Sequence, residues 1–427
     1  MMPSKKKIAL AAAVAAAVMA PSAFATNGYF AHGYGAKAQG MGGAGVALSQ
    51  DALAAATNPA GMAIVGNRTD IGVALFMPNR NTEVAGNAAA ANNIKYDAND
   101  EDTYFVPEFG YNRMLGQDMS FGVSVFGNGG MNTSYTRNIT LFSSDTGVKA
   151  GVDLSQLFVA PTLGWKLGDN QAIGVSLNLA YQRFAASGLH NFDVAAQSSN
   201  PGYVTNKGYD TSTGYGFRVG WTGNVSQTVT LGATYQTKTN MSKFESYKGL
   251  FAEQGDFDIP ANAAVGIAVK PAAKTAIAFD IEKIWYSKVA AVGNPLGPVS
   301  GAGVLQNTLG TNNGAGFGWQ DITVYKLGVS HEISGTVALR AGWNHGEQPI
   351  PSSQTFFNLL APGVIEDHLT MGATWKLGKA EELSVMFMHA FNNEVKGSGS
   401  IPTGFGGGEA NLEMDQNSFG LAYGWSF

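Results

Sequence analysis

The chain ends in Phe419-Gly420-Leu421-Ala422-Tyr423-Gly424-Trp425-Ser426-Phe427, a stretch in which large and small residues alternate strictly. Every odd-numbered position is a large apolar residue, and every even-numbered position is Gly, Ala or Ser. Successive side chains of a β-strand point to opposite faces, so this strand would have one apolar face and one face of small residues. A strand between lipid and a lumen needs this alternation, with aromatic residues near the membrane interface. The stretch therefore predicts a transmembrane β-barrel.

The opposite end of the chain has the features of a secretory signal peptide. Lys5–Lys7 precede an apolar run over residues 8–20, and Ala23-Phe24-Ala25 matches an A-x-A cleavage site. We expect residues 1–25 to be removed, so that Thr26 becomes the first mature residue. The apolar run is shorter than the about 20 residues that a membrane-spanning helix needs. No later segment reaches that length without charges, so strands must form any membrane-spanning part.

The composition fits a membrane barrel better than a soluble enzyme. Charged residues make up only 13% of the 427 residues, whereas typical soluble proteins contain about 25%. The chain has 56 Gly and 11% aromatic residues, and its mean hydropathy of −0.02 is what alternating strands produce. Cys is absent, which excludes disulfides, a thiolate nucleophile and Cys-bound metals. The net charge of −5 argues against nucleic acid as a partner.

Alternating segments recur along the chain. In residues 173–181 and 369–377, the odd-numbered positions are apolar with large side chains in the majority, and the even-numbered positions are small or polar. Residues 336–343 show the same pattern, with Arg340 on the polar face. We expect Arg340 to face the lumen, because Arg facing lipid at the midplane of the bilayer costs about 2–4 kcal/mol.

The connections between these segments are alternately short and long. Short turns are predicted near residues 116–117, 168–170, 225–227, 271–273, 334–335 and 378–380. Long loops rich in Gly, Asn and Ser are predicted near residues 80–103, 133–150, 187–211, 242–256, 290–318, 349–366 and 396–412. Short periplasmic turns opposite long extracellular loops are typical of outer-membrane barrels. The spacing predicts an all-β, antiparallel barrel of about fourteen strands in residues 67–427, an even number as in other bacterial barrels.

Residues 26–66 do not alternate. Small residues dominate Gly33–Gly45, an Ala-rich stretch over Ala47–Ala56 could form a short helix, and Asn58-Pro59-Ala60 follows. A compact segment with little apolar bulk, placed before a barrel, predicts a plug inside the lumen. A barrel of about fourteen strands needs one to be closed, since 16-stranded porins leave an open water path.

Several of these motifs together resemble one family. The run Gly33–Gly45 leads into Asn58-Pro59-Ala60, which is similar to a hatch signature at the start of FadL-family proteins. The stretch from Leu339 to Trp343, the stretch Gln348-Pro349-Ile350 and the loop Phe357–His368 resemble later parts of the same family, as does the terminal aromatic strand. The whole mature chain thus resembles the FadL family, which comprises outer-membrane transporters of long-chain fatty acids and relatives that import aromatic hydrocarbons.

The resemblance implies a fourteen-stranded barrel that is closed by an N-terminal hatch containing Asn58, Pro59 and Ala60. Ligand would enter a hydrophobic groove among the outer loops, reach a lumen pocket, and leave sideways through a kink in the third strand. Gly127-Asn128-Gly129-Gly130 interrupts an alternating segment and is the candidate kink. Three Gly in four residues weaken a strand and favour a bulge, although an ordinary strand end would look the same.

Candidate ligand-binding residues fall into two groups. The first group is apolar, lies in the predicted outer loops, and comprises Phe142, Phe192, Leu250 and Phe251. Exposed apolar patches usually mark binding surfaces, although these residues could also pack loop against loop. The second group is Arg183 and Arg340, either of which could contact a carboxylate. A fatty acid needs such a basic site, whereas a monoaromatic or alkane hydrocarbon needs an uncharged pocket, and the sequence leaves both substrates open.

Enzymatic readings find little support in the sequence. Gly40-x-Gly42-x-x-Gly45 has the spelling of a dinucleotide site, but it lacks the preceding strand that such a site requires. The histidines are scattered at His32, His190, His331, His345, His368 and His389. None has the i, i+4 helical spacing of a zinc site, and no Ser lies in a G-x-S-x-G elbow. We predict no enzyme activity, cofactor or metal; a lipid hydrolase and a general porin are the less favoured alternatives.

The predicted location is the outer membrane of a Gram-negative bacterium, crossed many times by strands. The expected partners are a hydrophobic ligand, outer-membrane lipid and lipopolysaccharide. Phe427 resembles the terminal residue of barrel assembly signals, so the barrel assembly machinery is a further expected partner. The resemblance to the FadL family implies a monomer.

Overall fold

The structure, a computed structural model, describes residues 26–88 and 93–427. The predicted signal peptide, residues 1–25, lies outside the described residues. The strands in chain order are β1 (Arg68–Ala85), β2 (Ile94–Asp97), β3 (Tyr104–Met114), β4 (Met119–Ser134), β5 (Gly151–Leu167), β6 (Gln171–Ser187), β7 (Asp210–Asn224), β8 (Val229–Gln236), β9 (Asn240–Met241), β10 (Asn262–Ala272), β11 (Thr275–Ile284), β12 (Ile322–Glu332), β13 (Val337–Gly346), β14 (Asp367–Lys376), β15 (Glu381–Val395) and β16 (Glu409–Ser426).

Fourteen of these strands form a closed antiparallel barrel, as the sequence predicted. Neighbours in the sheet are neighbours in the chain, apart from the short strands β2 and β9, which pair with β1 and β7. The barrel closes where β1 pairs with β16, from Arg68 opposite Ser426 to Ala85 opposite Glu409. Closure leaves no free sheet edge at this seam, which is the condition for a sheet to stand in lipid.

The two faces of the strands differ as the alternation predicted. On β16, Phe419 and Leu421 are each 50% exposed on the outer surface, while Gly420 between them is buried. The outward side chains of the other wall strands are likewise mostly large and apolar. These side chains form the lipid-facing surface, and the opposite set faces the lumen. No helix among the described residues is long and apolar enough to cross a membrane.

One end of the barrel has short turns and the other has long loops. Short helix α1 (Ala36–Gln39) lies in the N-terminal part, and the loops of the described chain carry α2 (Ala252–Gly255), α3 (Ala290–Gly293) and α4 (Thr355–Asn358). Short 3-10 helices lie at Ala54–Ala56, Pro59–Ala63, His190–Phe192, Glu245–Tyr247, Tyr286–Lys288, Ser352–Gln354 and Thr403–Phe405. The helix considered for Ala47–Ala56 is therefore only one 3-10 turn, because Ala propensity alone does not nucleate so short a helix.

Residues 26–66, called the N-terminal segment below, pack against the inward faces of strands around the barrel. Inward glycines make the approach possible. A Cβ on Gly174 of β6 would lie 2.3 Å from Pro59, one on Gly232 of β8 would lie 2.3 Å from Val46, and one on Gly342 of β13 would lie 2.1 Å from Gly42. Since these strands lie on different sides of the barrel, the segment occupies the lumen.

Candidate functional site

Five extracellular loops converge on an apolar cavity, called the outer cavity below. It is lined by Phe142, Val152, Phe184, Leu189, Phe192, Leu250, Phe251, Ala291, Leu309, Ala315, Gly316, Phe317, Phe357 and Leu360. The four apolar residues predicted from the sequence, Phe142, Phe192, Leu250 and Phe251, all belong to this set. The lining contains no charged side chain, so the cavity can hold an apolar molecule but offers nothing to a charge.

Aromatic rings give the outer cavity its walls. Phe251 packs on Phe184 with 4.7 Å between ring centroids, and Phe192 meets Phe357 edge-on at 5.3 Å. Phe184 belongs to β6 and the other three rings come from three different loops, so the cavity exists only when the loops are packed together. Large rigid rings bury much apolar area at a low cost in conformational entropy.

The barrel wall is interrupted between β3 and β4. Their pairing runs only from Phe109 opposite Val125 to Met114 opposite Ser120, although β3 begins at Tyr104. The pairing of β4 with β5 shifts register between Gly127 and Gly129, which marks a bulge at the position of the predicted kink. In the described chain, Tyr104–Glu108 of β3 therefore lack a partner on β4. The space between Tyr104–Glu108 and the part of β4 that follows Val125 is called the wall gap below.

The N-terminal segment covers the inner side of the wall gap. The Ala31 N–H donates to the Asn128 carbonyl at 3.1 Å, and the Gly130 N–H donates to the Tyr29 carbonyl at 3.0 Å. A Cβ on Gly129 would lie 1.7 Å from the Tyr29 carbonyl oxygen, so only glycine permits this contact. The residues predicted as a kink are thus the place where the segment pairs with the wall.

Aromatic rings connect the outer cavity with the wall gap. Phe251 of the cavity packs on Phe257 at 4.9 Å, and Phe257 lies 6.1 Å from Tyr29. Phe317 of the cavity lies 6.3 Å from Trp319, which in turn lies 5.8 Å from Tyr29. This aromatic route leads from the loops to the part of the N-terminal segment that pairs with β4.

The other part of the N-terminal segment is fixed to the wall by polar groups. Asn58 is buried; its Nδ2 donates to the carbonyls of Val46 and Trp221 at 2.7 and 3.0 Å, and its Oδ1 accepts from the Ala60 N–H at 3.1 Å. This accounts for the Asn58-Pro59-Ala60 motif, since Asn58 caps the 3-10 helix that begins at Pro59. Sequence reasoning found the motif but not the bond to the wall.

A buried ion network adds to this attachment. Lys37 pairs with Glu382 of β15, which also accepts from Arg68 Nη2 at 2.6 Å. Arg68 in turn binds Asp70, which accepts from the Ala52 N–H at 2.8 Å. Burial lowers the pKa of Lys37, although the charge of Glu382 opposes that shift. The network joins the segment to β1 and β15, the two strands that flank β16.

Neither Arg183 nor Arg340 lines the outer cavity. Arg183 lies near the outer end of β6, 3.5 Å from Asp153 and over the ring of Tyr209. Arg340 faces inward as predicted, but its Nε donates to Gln50 at 3.1 Å and it borders a polar cavity with Lys37 and Glu382. The expectation that one of them contacts a head group stays a prediction, and their surroundings do not favour it.

One serine contacts a histidine beside the outer cavity, which bears on the hydrolase alternative. Ser143 Oγ lies 3.1 Å from His190 Nδ1, and Asn206 Nδ2 lies 2.8 Å from His190 Nε2. Because Asn206 Oδ1 accepts from the Gly188 N–H, its Nδ2 faces the histidine, so Nε2 accepts and Nδ1 carries the proton. His190 is then a donor toward Ser143, whereas a general base must accept the serine proton.

The remaining histidines form no metal site. His32 of the N-terminal segment stacks on His368 of β14, with 6.0 Å between the ring centroids. Burial, and next the charge of Lys326, lowers the pKa of His32 to about 4. Among residues 26–88 and 93–427, no three His, Asp or Glu side chains form a group that could hold a metal ion.

Two residues at the wall gap escaped sequence reasoning, Arg80 and Trp319. Arg80 is an even-numbered residue of β1 and shares the inward face with Asp70 and Phe76. The alternation of the strand therefore indicated in the sequence that Arg80 faces inward. Trp319 comes from the long loop between β11 and β12 and has no periodicity to reveal it. Both line a small cavity with Met131 and Asn132 of β4.

A closed barrel with an apolar outer surface, an apolar cavity among its loops and a filled lumen defines an outer-membrane transport protein for hydrophobic molecules. The sequence profile of the outer membrane protein transport protein family (OMPP1/FadL/TodX) matches residues 12–427. The chain belongs to this family.

Solved structures share the fold at low sequence identity. The toluene transporter TodX of Pseudomonas putida is 18% identical, with a TM-score of 0.69 over 93% of this chain and 99% of that one. A FadL homologue of Pseudomonas aeruginosa is 15% identical, with the same TM-score and the same coverage. The toluene transporter TbuX of Ralstonia pickettii is 18% identical, with a TM-score of 0.63 over 93% of this chain and 99% of that one. No curated protein sequence matches the chain.

Proposed function

We propose that the protein imports hydrophobic small molecules passively across the outer membrane, with long-chain fatty acids as the first substrate class. The observation that carries this proposal is the aromatic route from the outer cavity to the wall gap. Capture, storage and exit then lie on one path of apolar contacts. Monoaromatic or alkane hydrocarbons are the second candidate, favoured by the absence of charge in the lining of the outer cavity.

The proposed path has three steps. A ligand leaves the outer leaflet or the medium and enters the outer cavity beside Phe251. It then follows the aromatic route toward Trp319 and Tyr29. Last, it displaces Tyr29–Ala31 from β4 and leaves sideways through the wall gap into the membrane. None of the three steps needs an energy source, because the concentration gradient and later metabolism drive the flow.

Sideways exit is favoured by the free energy of hydration. An alkyl chain that entered the periplasm would expose its methylene groups to water at a cost of about 0.8 kcal/mol each. A chain that moves from the lumen into lipid avoids this cost. The N-terminal segment acts as a hatch in this proposal, since its attachment through Asn58 and Lys37 keeps the axial path closed.

The first experiment measures uptake of labelled oleate and labelled alkylbenzene by cells that lack their own transporter and express this chain. Uptake of either ligand, reduced by Phe251→Asp, supports the proposal, because a charge in the outer cavity opposes capture. Val194→Asp is the matched control, since Val194 lies in the loop between β6 and β7, which also contributes to the cavity, but is itself exposed and outside the lining. Equal effects of the two variants, or no uptake despite a folded barrel, would contradict it.

A general porin and a lipid hydrolase are tested alongside. Steady ion conductance of the purified barrel would favour the porin, and hydrolysis of phospholipid by purified protein would favour the hydrolase. We expect neither result, because the N-terminal segment fills the lumen and His190 does not serve Ser143 as a base. Recognition of Phe427 by the assembly machinery, contact with lipopolysaccharide and a monomeric state belong to the same proposal.

A further inference from the structure

Arg80 is a fully buried cation at the outer end of the wall gap. It is 2% exposed and points inward from β1. Its guanidinium passes the start of β3 and reaches β4, where Nη1 donates to the carbonyl and to the side-chain oxygen of Asn132, the latter at 2.6 Å. Its Nη2 donates to the Glu101 carbonyl at 2.5 Å. Arg80 thus bridges the part of the wall where β3 and β4 are unpaired.

All hydrogen-bond acceptors of Arg80 in the described chain are neutral. Other buried cations have carboxylate partners, such as Lys37 with Glu382, and Lys326 with Glu282 at 2.8 Å. Arg218 is the exception, but it donates to the Thr57 carbonyl and so fastens the N-terminal segment. The side-chain hydrogen bonds of Arg80 go to Asn99, Asn132 and Glu101, all outside that segment. A buried charge without an opposite charge is costly, and charge-assisted hydrogen bonds are about twice as strong as neutral ones.

The surroundings of Arg80 suit an amphiphile. Arg80 and Asn132 form the polar side of a small cavity, and Met131, Trp319, Pro362 and Met414 form its apolar side. Trp319 also belongs to the aromatic route, 5.2 Å from Tyr286. An alkyl chain that lies along this route can therefore place a carboxylate at Arg80 without leaving apolar contact.

We propose that Arg80 binds the carboxylate of a transported fatty acid at the wall gap. The inference rests on the proposed import of hydrophobic molecules and names an anionic amphiphile as the preferred substrate. The carboxylate accepts from the guanidinium in place of the neutral oxygens of Asn132 and Glu101. Because the bonds to Asn132 tie β1 to β4 beside the wall gap, their exchange loosens the wall gap when ligand is present. An uncharged hydrocarbon cannot produce this exchange.

The test compares two ligands that differ only in charge, oleate and methyl oleate, bound to purified protein. We expect Arg80→Gln to weaken oleate binding at least about 30-fold, as loss of a buried charge partner does. Binding of methyl oleate should change by less than about twofold, since it uses only apolar contacts. Arg80→Lys keeps the charge but loses the two-pronged guanidinium, so its oleate affinity should lie between those of the unaltered protein and Arg80→Gln. Arg113 is an exposed arginine on β3, and Arg113→Gln is the matched control. It should change the binding of neither ligand.

Equal losses for oleate and methyl oleate in Arg80→Gln would mean a structural role and overturn the proposal, as would no loss at all. If Arg80→Gln does not fold, 2-bromopalmitate decides the question with the unaltered protein. Its bromine lies next to the carboxylate, so binding at Arg80 should quench the buried Trp319, and the quenching should be absent in Trp319→Phe. Quenching of equal size in both proteins would overturn the proposal.

Cell uptake separates this proposal from the general one. Uptake of alkylbenzene without any preference for oleate over methyl oleate would overturn the role of Arg80 and leave hydrophobic import intact. Arg80-dependent oleate binding without uptake of any ligand would support the site and contradict import.

Discussion

The two parts of the N-terminal segment are held in different ways. The gap part, residues 26–34, pairs with β4 through backbone hydrogen bonds at Asn128 and Gly130 and packs through aromatic rings. The anchor part, residues 35–66, is held by the side chain of Asn58 and by the ion network around Glu382. Glycines of the wall let its backbone approach closely on several strands.

The difference shows how a plugged barrel can open without becoming a pore. Backbone pairing with one strand can be released when a ligand competes for the same apolar contacts. Release of the anchor part would instead break several buried hydrogen bonds and ion pairs at once, and each polar group that stays buried without a partner costs about 1–3 kcal/mol. Opening is therefore expected at the wall gap and not along the barrel axis.

The largest effect is expected from Asn58→Ala, which removes three hydrogen bonds at once. The local stability of the anchor part should fall by about 3 kcal/mol, at about 1 kcal/mol per bond. Hydrogen exchange of the amides in residues 45–63 measures this fall, and ion conductance should rise with it. Asn27→Ala in the gap part is the control, because no partner binds the side-chain amide of Asn27. Similar exchange in both variants would contradict the division into two parts.

A smaller loss is expected from Glu382→Gln, which takes the carboxylate away from Lys37 and Arg68. Breaking a fully buried ion pair costs 3–5 kcal/mol, and partial exposure of Glu382 reduces this to about 2 kcal/mol. Exchange should rise around Lys37 and Ala52 and stay unchanged at Tyr29–Ala31. Glu381→Gln is a neighbouring exposed control on the same strand. A rise confined to the gap part would refute the assignment of this network to the anchor.

The smallest effect is a dependence on pH that has opposite signs in the two parts. Burial lowers the pKa of His32 to about 4 from 6.5, so the gap part has its full stability above pH 6.5 and loses stability as the pH falls toward 4. Burial, and next Asp70, raises the pKa of Asp51 to about 6 from 3.8, so the anchor part loses stability as the pH rises through 6.

Hydrogen exchange at pH 5 and pH 7, corrected for the intrinsic rate, measures both signs. We expect less protection of the gap part and more of the anchor part at pH 5. His32→Phe should remove the first effect, and Asp51→Asn should remove the second. If protection changed in the same direction in both parts, His32 and Asp51 would not control the pH dependence of their stability.

The sequence revealed the barrel and the outer cavity because both depend on simple patterns. Alternation in residues 419–427 shows the two faces of a strand, and the loops that carry Phe142 and Phe251 emerge at the same end of the barrel. The Gly127–Gly130 stretch showed where the regular strand breaks. Its pairing with Tyr29–Ala31 was not predictable, because it joins segments that are far apart in the chain.

The arginines show the limit of the sequence most clearly. The alternation of the strand correctly predicted that Arg340 faces the lumen, but it gave no information on its neighbours. The hydrogen-bond partners of Arg340 are Gln50 and Thr374. Arg80 has the same inward parity on β1. Its contact with Asn132 exists only because β3 and β4 stop pairing at Val125, a property of the sheet that no local pattern contains.

The most direct test of the account uses disulfides in a chain that has no cysteine of its own. Ala31→Cys with Asn128→Cys would join the gap part to β4, where the Ala31 N–H donates to the Asn128 carbonyl at 3.1 Å. Gly40→Cys with Gly372→Cys would join the anchor part to β14, where a Cβ on Gly40 would lie 3.1 Å from the Cα of Gly372. Both pairs are close enough for the bond.

We predict that the first disulfide lowers uptake of the transported ligand at least about tenfold, as locking a gating element does, and that a reductant restores it. The second disulfide should leave uptake unchanged with or without reductant. Full uptake with the gap part locked, or loss of uptake with only the anchor part locked, would contradict the proposal that ligand leaves through the wall gap.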